Sequence, residues 1–229
     1  MITSRDNATL TLVGKLLRGR KHREETGLFA AEGEDLVAAA REAGVAAVHL
    51  LVAGETVEET LLSRVSTLPH PARAIGVYRR ADLPAGARET CLALWRLADP
   101  GNVGTLIRTA DAFGAAVALS AGCADPTGPK ALRASAGSIW RVPLVDFDYH
   151  VNVLTREQGN VALVAHGGMA LEELDLRGPR TFLLGGEREG LPARLPRGVE
   201  ATIPIAGAES LNVAAAGAIA LYEWRRQNR

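Results

Sequence analysis

Two cysteines in 229 residues, Cys91 and Cys123, leave nothing from which to build a disulfide framework, and no second ligand sits at metal-binding spacing from either. They read as buried or half-buried thiols in a reducing compartment, and no metal is expected. Aromatic residues are scarce at 4%, whereas apolar residues reach 47%, dominated by Ala, Leu and Val. Such a composition suits helices packed against a parallel sheet. No apolar run approaches the roughly 20 residues of a membrane span. The opening MITSRDNATL also lacks the charged-then-apolar pattern of a signal peptide. The chain is therefore expected to be soluble and cytoplasmic, with no membrane partner.

Net charge is zero, which excludes a generally basic nucleic-acid binder. The charge is unevenly placed, however. Residues 1–23 carry Arg5, Lys15, Arg18, Arg20, Lys21 and Arg23 against Asp6 alone. A polyanion would have to be met by such a local patch, and a solvated helix face explains the run equally well. His22, His49 and His70 are scattered and read as ordinary surface or packing histidines.

Proline, glycine and small residues at Asp82–Glu89 suggest a break between two units, 1–85 and 86–229. The first unit reads as helix Thr9–Arg18, strand Leu28–Ala31, helix Glu34–Ala43 closed by Gly44, strand Val48–Val52, helix Val57–Thr67 and strand Arg73–Tyr78. After the break come strand Cys91–Leu97, helix Val103–Phe113, strand Ala116–Ser120, helix Lys130–Ala136 and strand Ile139–Val145. Helix His150–Gln158, strands Val161–Ala165, Thr181–Leu184 and Ala201–Ile205, and helix Leu211–Arg226 follow. The alternation predicts an α/β fold with a parallel sheet covered on both faces, whose ligands bind at the carboxyl ends of the strands.

Three strings stand at such strand ends: Asp99–Gly114 (DPGNVGTLIRTADAFG), Leu184–Leu191 (LGGEREGL) and Ile203–Glu223 (IPIAGAESLNVAAAGAIALYE). In the first, Asn102 is placed to cap a helix. Arg108 follows six residues later, about 1.7 turns on, where it can pair with Asp111 at i+3 or meet an anion near a helix N-terminus. The second is not a dinucleotide fingerprint; Gly185 and Gly186 let backbone lie flat against a planar ligand, and Glu187 can bind a polar group or pair with an arginine. In the third, Ser210 is placed to cap a helix of small residues. Gly217 within it costs up to about 1 kcal/mol relative to Ala, a cost a helix accepts where another backbone passes close by.

Taken in order, the strings resemble the motifs of the SpoU (TrmH-type) family of RNA 2′-O-ribose methyltransferases in the SPOUT superfamily. The first resembles N-x-G-x-x-x-R-T-A through Asn102, Gly104, Arg108, Thr109 and Ala110. The second resembles G-x-E-x-x-G-L through Gly185, Glu187, Gly190 and Leu191. The third resembles I-P followed by S-L-N-V, through Ile203, Pro204, Ser210, Leu211, Asn212 and Val213. The stretch GCADPTGPKALRASAGSIWRVPL is similar to the segment between motifs in ribosomal-RNA members. LFAAEGEDLVAAAREAG resembles the family's small RNA-binding accessory domain.

The resemblance implies a C-terminal SPOUT domain with a deep trefoil knot and a small N-terminal α/β RNA-binding domain. It implies S-adenosylmethionine as cofactor, held by Leu184, Gly185, Gly190, Ile203, Ile205 and Leu211, and a homodimer through the knotted domain. Arg108 is implied to serve as the central catalytic-site residue, gripping a phosphate, with Asn102, Ser210 and Asn212 holding the ribose or the methionine end and Glu187 orienting Arg108 or Asn102. Lys15, Arg18, Arg20, Lys21 and Arg23 become RNA-phosphate contacts. The implied substrate is 23S ribosomal RNA. Transfer RNA, an antibiotic-resistance methylase role and, from a different class, a knotted RNA-binding assembly factor without turnover stay open. One departure is local: where many members carry a serine soon after the Asn-Val of the third motif, this chain has Ala214 and Ala215.

Overall fold

The structure, a computed structural model, describes residues 1–86, 88–147, 159–186 and 189–229. Its strands sort into two sheets, one of three strands and one of seven. The first part comprises α1 (Ala8–Arg18), α2 (Arg20–Thr26), β1 (Leu28–Glu32), α3 (Glu34–Glu42), β2 (His49–Val52), α4 (Glu59–Val65) and β3 (Ala74–Arg79). Its strands pair antiparallel in the order β1-β3-β2. Helix α1 forms where Asn7 accepts the Thr9 N–H as an N-cap and where Leu10, Val13, Leu16 and Leu17 recur at helical spacing. That face is buried against Leu51, Leu62, Ile75 and Val77. Helix α2 is absent from the expectations because RKHREET has no apolar periodicity; its formation depends on neighbours described below.

The second part contains β4 (Cys91–Trp95), α5 (Pro100–Phe113), β5 (Ala116–Leu119), α6 (Pro129–Ser135), β6 (Leu144–Asp146), β7 (Asn160–Leu163), β8 (Met169–Ala170), β9 (Thr181–Gly185), β10 (Val199–Thr202) and α7 (Val213–Gln227). The strands form one seven-stranded sheet in the order β6-β5-β4-β9-β7-β10-β8, every neighbouring pair parallel. Leu92, Leu94, Phe182 and Leu184 on its two central strands are fully buried, as a sheet covered on both faces requires. The chain runs outward from β4 through β5 to β6, then returns to place β9 on the other side of β4. The carboxyl ends of β4 and β9 therefore flank a topological switch point, where loops diverge and leave a crevice.

Two expected strands shift for identifiable reasons. The strand expected over Ile139–Val145 is a 3-10 turn at Ser138–Trp140 followed by the short β6, because Trp140 turns inward. Its indole N–H donates to the Leu36 carbonyl at 3.1 Å, and its ring stacks on Phe29 at 5.5 Å. The strand expected over Ala201–Ile205 is Val199–Thr202; Pro204 has no N–H for a ladder. The short edge strand β8 carries too few residues to show a period. The helix expected at His150–Gln158 lies outside the described residues.

The apolar core is continuous between the two sheets, since Phe29, Leu36 and Tyr78 join Trp140, Leu92 and Leu106 in one cluster. Among the described residues, no helix is long and apolar enough to cross a membrane.

Candidate active site

The first string enters α5 by a cap different from the one expected. Asp99 is the N-cap: its carboxylate accepts the Asn102 N–H at 2.9 Å, and Pro100 takes the first helical position, where its missing N–H costs nothing. The Lys130 ammonium, 2.9 Å away, together with the Asn102 N–H, holds the Asp99 carboxyl below the usual carboxylate range. Asn102, no longer needed as a cap, uses its side-chain oxygen to accept a hydrogen bond from the Asn212 amide at 3.1 Å. Thus the first and third strings touch through two asparagines separated by 110 residues.

Gly104 has a packing role. A Cβ there would lie 2.3 Å from the Ala131 carbonyl oxygen, so α5 and α6 approach closely only because the position is glycine. Arg108 sits on the exposed face of α5. The expected Arg108–Asp111 pair does not form, because Asp111 is gripped by Arg141 at 2.6 and 3.0 Å. Among the described residues Arg108 makes no ion pair, which leaves its guanidinium available to a ligand.

The second string leaves β9 at Gly185 and folds back on itself. Gly190 adopts a left-handed φ of 61° and donates its N–H to the Gly186 carbonyl at 2.9 Å. A Cβ on Gly185 would fall 2.4 Å from the Gly190 carbonyl carbon, so the two stretches of backbone are in direct contact. Glu187 lies outside the described residues.

In the third string the cap is Asn212 rather than Ser210, and α7 accordingly starts at Val213. The Asn212 side-chain oxygen accepts from the Ala214 and Ala215 N–H groups at 2.9 and 3.3 Å. The alanines that replace the family serine thus contribute backbone donors to the cap. Gly217 faces Leu106 and Leu184, whose terminal carbons would lie 2.5 and 3.1 Å from an added Cβ. The sequence predicted another backbone passing at Gly217; the atoms that crowd it are leucine side chains instead, so the glycine makes room for the core beneath α7.

Around these turns lies a cavity of about 210 Å³ at the carboxyl ends of β7, β9 and β10. Leu184, Gly185, Gly190, Ile203, Ile205 and Leu211 all line it, with Ser210 as a hydroxyl in the wall. The sequence reading missed the Leu163–Ala165 wall, which carries no polar or glycine signature and enters only because β7 pairs with β9. A larger concavity of about 750 Å³ shares Gly186 and Gly190 with this cavity and extends to Trp95, Arg96 and Asp99. Arg96 closes β4 in a left-handed conformation, φ 52°, and pairs with Glu189 at 3.1 Å. Among the described residues no group of His, Cys, Asp or Glu is placed to hold a metal ion.

The basic run divides. Lys15, Arg18, Arg20 and Lys21 are exposed, although Arg20 is paired with Glu24 at 2.7 Å and Lys21 lies 3.7 Å from Glu25. Arg23 is not a surface cation: it is 5% exposed, and its guanidinium is committed to Asp125 at 2.6 Å and to the Leu16 carbonyl. Lys15 and Arg18 instead share a groove of about 530 Å³ between α1 and α4 with Arg5, His22 and Arg64. Arg64 stands too far along the chain to be grouped with them without the fold.

Comparison with known proteins bears directly on this geometry. The family model described as the SpoU rRNA methylase family matches residues 89–222. The chain belongs to that family. A second model, described as the MRM3-like substrate-binding domain, matches residues 14–80. Among SpoU relatives, the Bacillus subtilis 23S rRNA (guanosine(2553)-2′-O)-methyltransferase RlmP is 32% identical over 232 residues, covering 92% of this chain and 94% of its own. A Synechocystis protein named as an uncharacterized tRNA/rRNA methyltransferase is 41% identical over 144 residues, 59% of this chain; the match spans about half, 53%, of that relative's length. The crystal structure of an AdoMet-bound rRNA methyltransferase from Sinorhizobium meliloti superposes with a TM-score of 0.85 at 32% identity, covering 98% of this chain and 97% of that one.

Proposed function

We propose that the chain transfers the methyl group of S-adenosylmethionine to a ribose 2′-hydroxyl of 23S ribosomal RNA. The observation that carries this reading is the convergence of the three motif strings. Two of them line one cavity at the carboxyl ends of parallel strands, and the first joins the third through Asn102 and Asn212. The cavity suits the cofactor chemically. Flat peptide at Gly185 and Gly190 and aliphatic walls from Leu184, Ile203, Ile205 and Leu211 match an adenine, and Ser210 provides a polar contact.

When bound, S-adenosylmethionine supplies a methyl group on a sulfonium, already activated toward attack. The protein therefore has mainly to align an oxygen and provide for a proton. Asn102, held by Asn212, and Ser210 would bind the ribose or the methionine end. Arg108 would grip the phosphate beside the target ribose with its planar fork, fixing the 2′-oxygen for in-line attack. It would not act as the base, since a guanidinium keeps its proton at any accessible pH; the neighbouring phosphate or water takes it. Glu187 would orient Arg108 or Asn102.

Further parts of the reading have separate support. The division into an RNA-binding unit, 1–85, and a methyltransferase unit, 86–229, follows the separation of the two sheets and the two family-model matches. A trefoil knot belongs to the reading through the family membership, and the small residues around Gly217 let α7 pack tightly on Leu106 and Leu184. A ribosomal-RNA substrate would place the enzyme in the cytoplasm. Ala215, Ile219 and Tyr222 form an exposed stripe on α7, the last two 39% and 54% exposed, which fits a homodimer interface. Tyr222→Arg should then sediment as a monomer; a wild-type chain that is already monomeric would exclude the dimer.

RNA would be anchored in the α1–α4 groove, whose Leu10, Leu61 and Val65 floor is rimmed by Arg5, Lys15, Arg18 and Arg64. Changing Lys15, Arg18 and Arg64 to Glu should weaken RNA binding and flatten its salt dependence, the log–log slope falling by about 0.7–0.9 for each phosphate left unneutralised. Binding that keeps its slope would return these residues to a solvated surface. The reading as a whole is tested with methyl-labelled cofactor on separated ribosomal and transfer RNAs, followed by mapping of 2′-O-methyl stops. A single stop in 23S RNA is the expected result; transfer to tRNA alone would change the substrate, and tight cofactor binding without any transfer would leave an RNA-binding factor.

A further inference from the structure

The cluster around Asp125 is the most deeply buried set of charges in the described chain that the proposed chemistry does not use. Asp125 lies in the loop between β5 and α6, and its side chain is 6% exposed. One carboxylate oxygen accepts from Arg23 Nε at 2.6 Å. The other accepts from Arg80 Nη2 at 2.7 Å and from the Thr127 hydroxyl and N–H at 2.8 and 3.0 Å. Arg80 also donates to the Thr127 hydroxyl at 2.6 Å, and Arg20 donates to the Cys123 carbonyl at 3.0 Å. All three arginines come from the N-terminal unit, and these acceptors all come from one loop of the other. The loop explains why α2 forms without an apolar stripe: its arginines have fixed partners.

The same loop is tied to the mouth of the site. Ala124 donates to the Leu97 carbonyl at 2.7 Å, the Cys123 thiol donates to the Leu94 carbonyl at 3.2 Å, and Ser120 accepts the Arg96 N–H at 2.9 Å. Two residues beyond Leu97 stands Asp99, the cap that places Asn102. The units touch at a second place, the Phe29, Tyr78 and Trp140 rings. One contact is mainly apolar, with a single directional bond from the Trp140 indole N–H to the Leu36 carbonyl at 3.1 Å. The other is a directional set of charge-assisted hydrogen bonds, and only it adjoins the mouth.

We propose that Asp125 is a positioning residue that sets the angle between the RNA-anchoring unit and the mouth of the cavity, and thereby which ribose along a bound RNA is presented for methylation. Without the Asp125 bonds the units keep their association through the Trp140 contact, but the edge beside the mouth is no longer pinned, so RNA held in the groove no longer places a single 2′-oxygen. The inference rests on the methyltransferase reading above.

The test uses the full-length chain, labelled S-adenosylmethionine and a 23S RNA fragment, comparing wild type with Asp125→Asn. Asparagine keeps the shape and an acceptor for Thr127 but leaves two arginines without their counter-charge. Cofactor affinity by calorimetry should be unchanged, KM for the RNA should rise about tenfold, and stops should spread to neighbouring riboses, since small misplacement suffices to lose alignment. A lowered melting temperature with KM and the mapped position both unchanged would reduce Asp125 to a structural role and overturn the proposal. If Asp125→Asn does not fold, Arg80→Gln keeps the Arg23–Asp125 pair and must show the same direction; an unchanged KM and stop pattern there overturns it equally. A wild-type chain that methylates no RNA would instead bring down the methyltransferase reading itself.

Discussion

Arg108→Ala is expected to lower turnover at saturating RNA and cofactor by about 10²-fold, the size of loss that follows when a reacting group is no longer held in line. The side chain stands on the exposed face of α5 and is not spent on Asp111, which belongs to Arg141. Removing it therefore disturbs no ion pair among the described residues, and melting temperature should change little. Cofactor affinity should also persist, because Arg108 does not line the 210 Å³ cavity. Arg108→Lys separates the roles. Lysine retains the charge but not the planar two-pronged fork, so turnover should stay near the alanine level while RNA affinity recovers in part. If lysine restores most of the turnover, charge rather than bidentate alignment is what the site uses, and the phosphate-gripping role fails.

Gly185→Val should weaken S-adenosylmethionine binding by at least about tenfold, equivalent to roughly 1.4 kcal/mol. The branched side chain has nowhere to go: its first carbon would sit 2.4 Å from the Gly190 carbonyl carbon and 2.7 Å from the Leu191 nitrogen, both backbone atoms. Gly190 holds a left-handed turn that depends on its N–H bond to Gly186, so relief comes only by moving the loop that forms the cavity wall. Overpacking of this kind costs about 1–3 kcal/mol, part of which appears as lost stability. Gly207→Ala is the control, since nothing lies within 4 Å of a Cβ there and the backbone is unstrained. Calorimetric titration of both variants decides the matter. Equal affinities would mean that the Gly185–Gly190 contact is not what shapes the cofactor site.

Much of the fold could be read from periodicity. The apolar spacing of Leu10, Val13, Leu16 and Leu17 marked α1, and the buried runs at Cys91 and Thr181 marked the central strands. The parallel sheet followed from alternation. Caps were less legible, because Asp99 and Asn102, or Ser210 and Asn212, are equally capable cap residues two or three positions apart. Choosing between them depends on Pro100, which fills the first helical position, and on the hydrogen bond between the two asparagines. Trp140 reads as part of a strand because its neighbours are apolar; its partner, the Leu36 carbonyl, lies 104 residues away. Arg23 reads as one more surface cation because burial of an arginine is invisible in sequence until its carboxylate is found, here 102 positions downstream.

The sequence by itself determined the family and the chemistry that the turns must serve. Glycine, proline, asparagine and arginine at fixed intervals encode local backbone geometry and local donors, and these are properties of short segments. The tertiary structure alone decided how those polar groups are partnered. Asn102 meets Asn212 instead of capping its helix, Arg108 is left without Asp111, and Arg23 and Arg80 are committed to Asp125. The reason is physical. A polar group's role depends on whether its hydrogen-bonding capacity has been satisfied, and in this chain the satisfying partners come from segments brought together only by the fold.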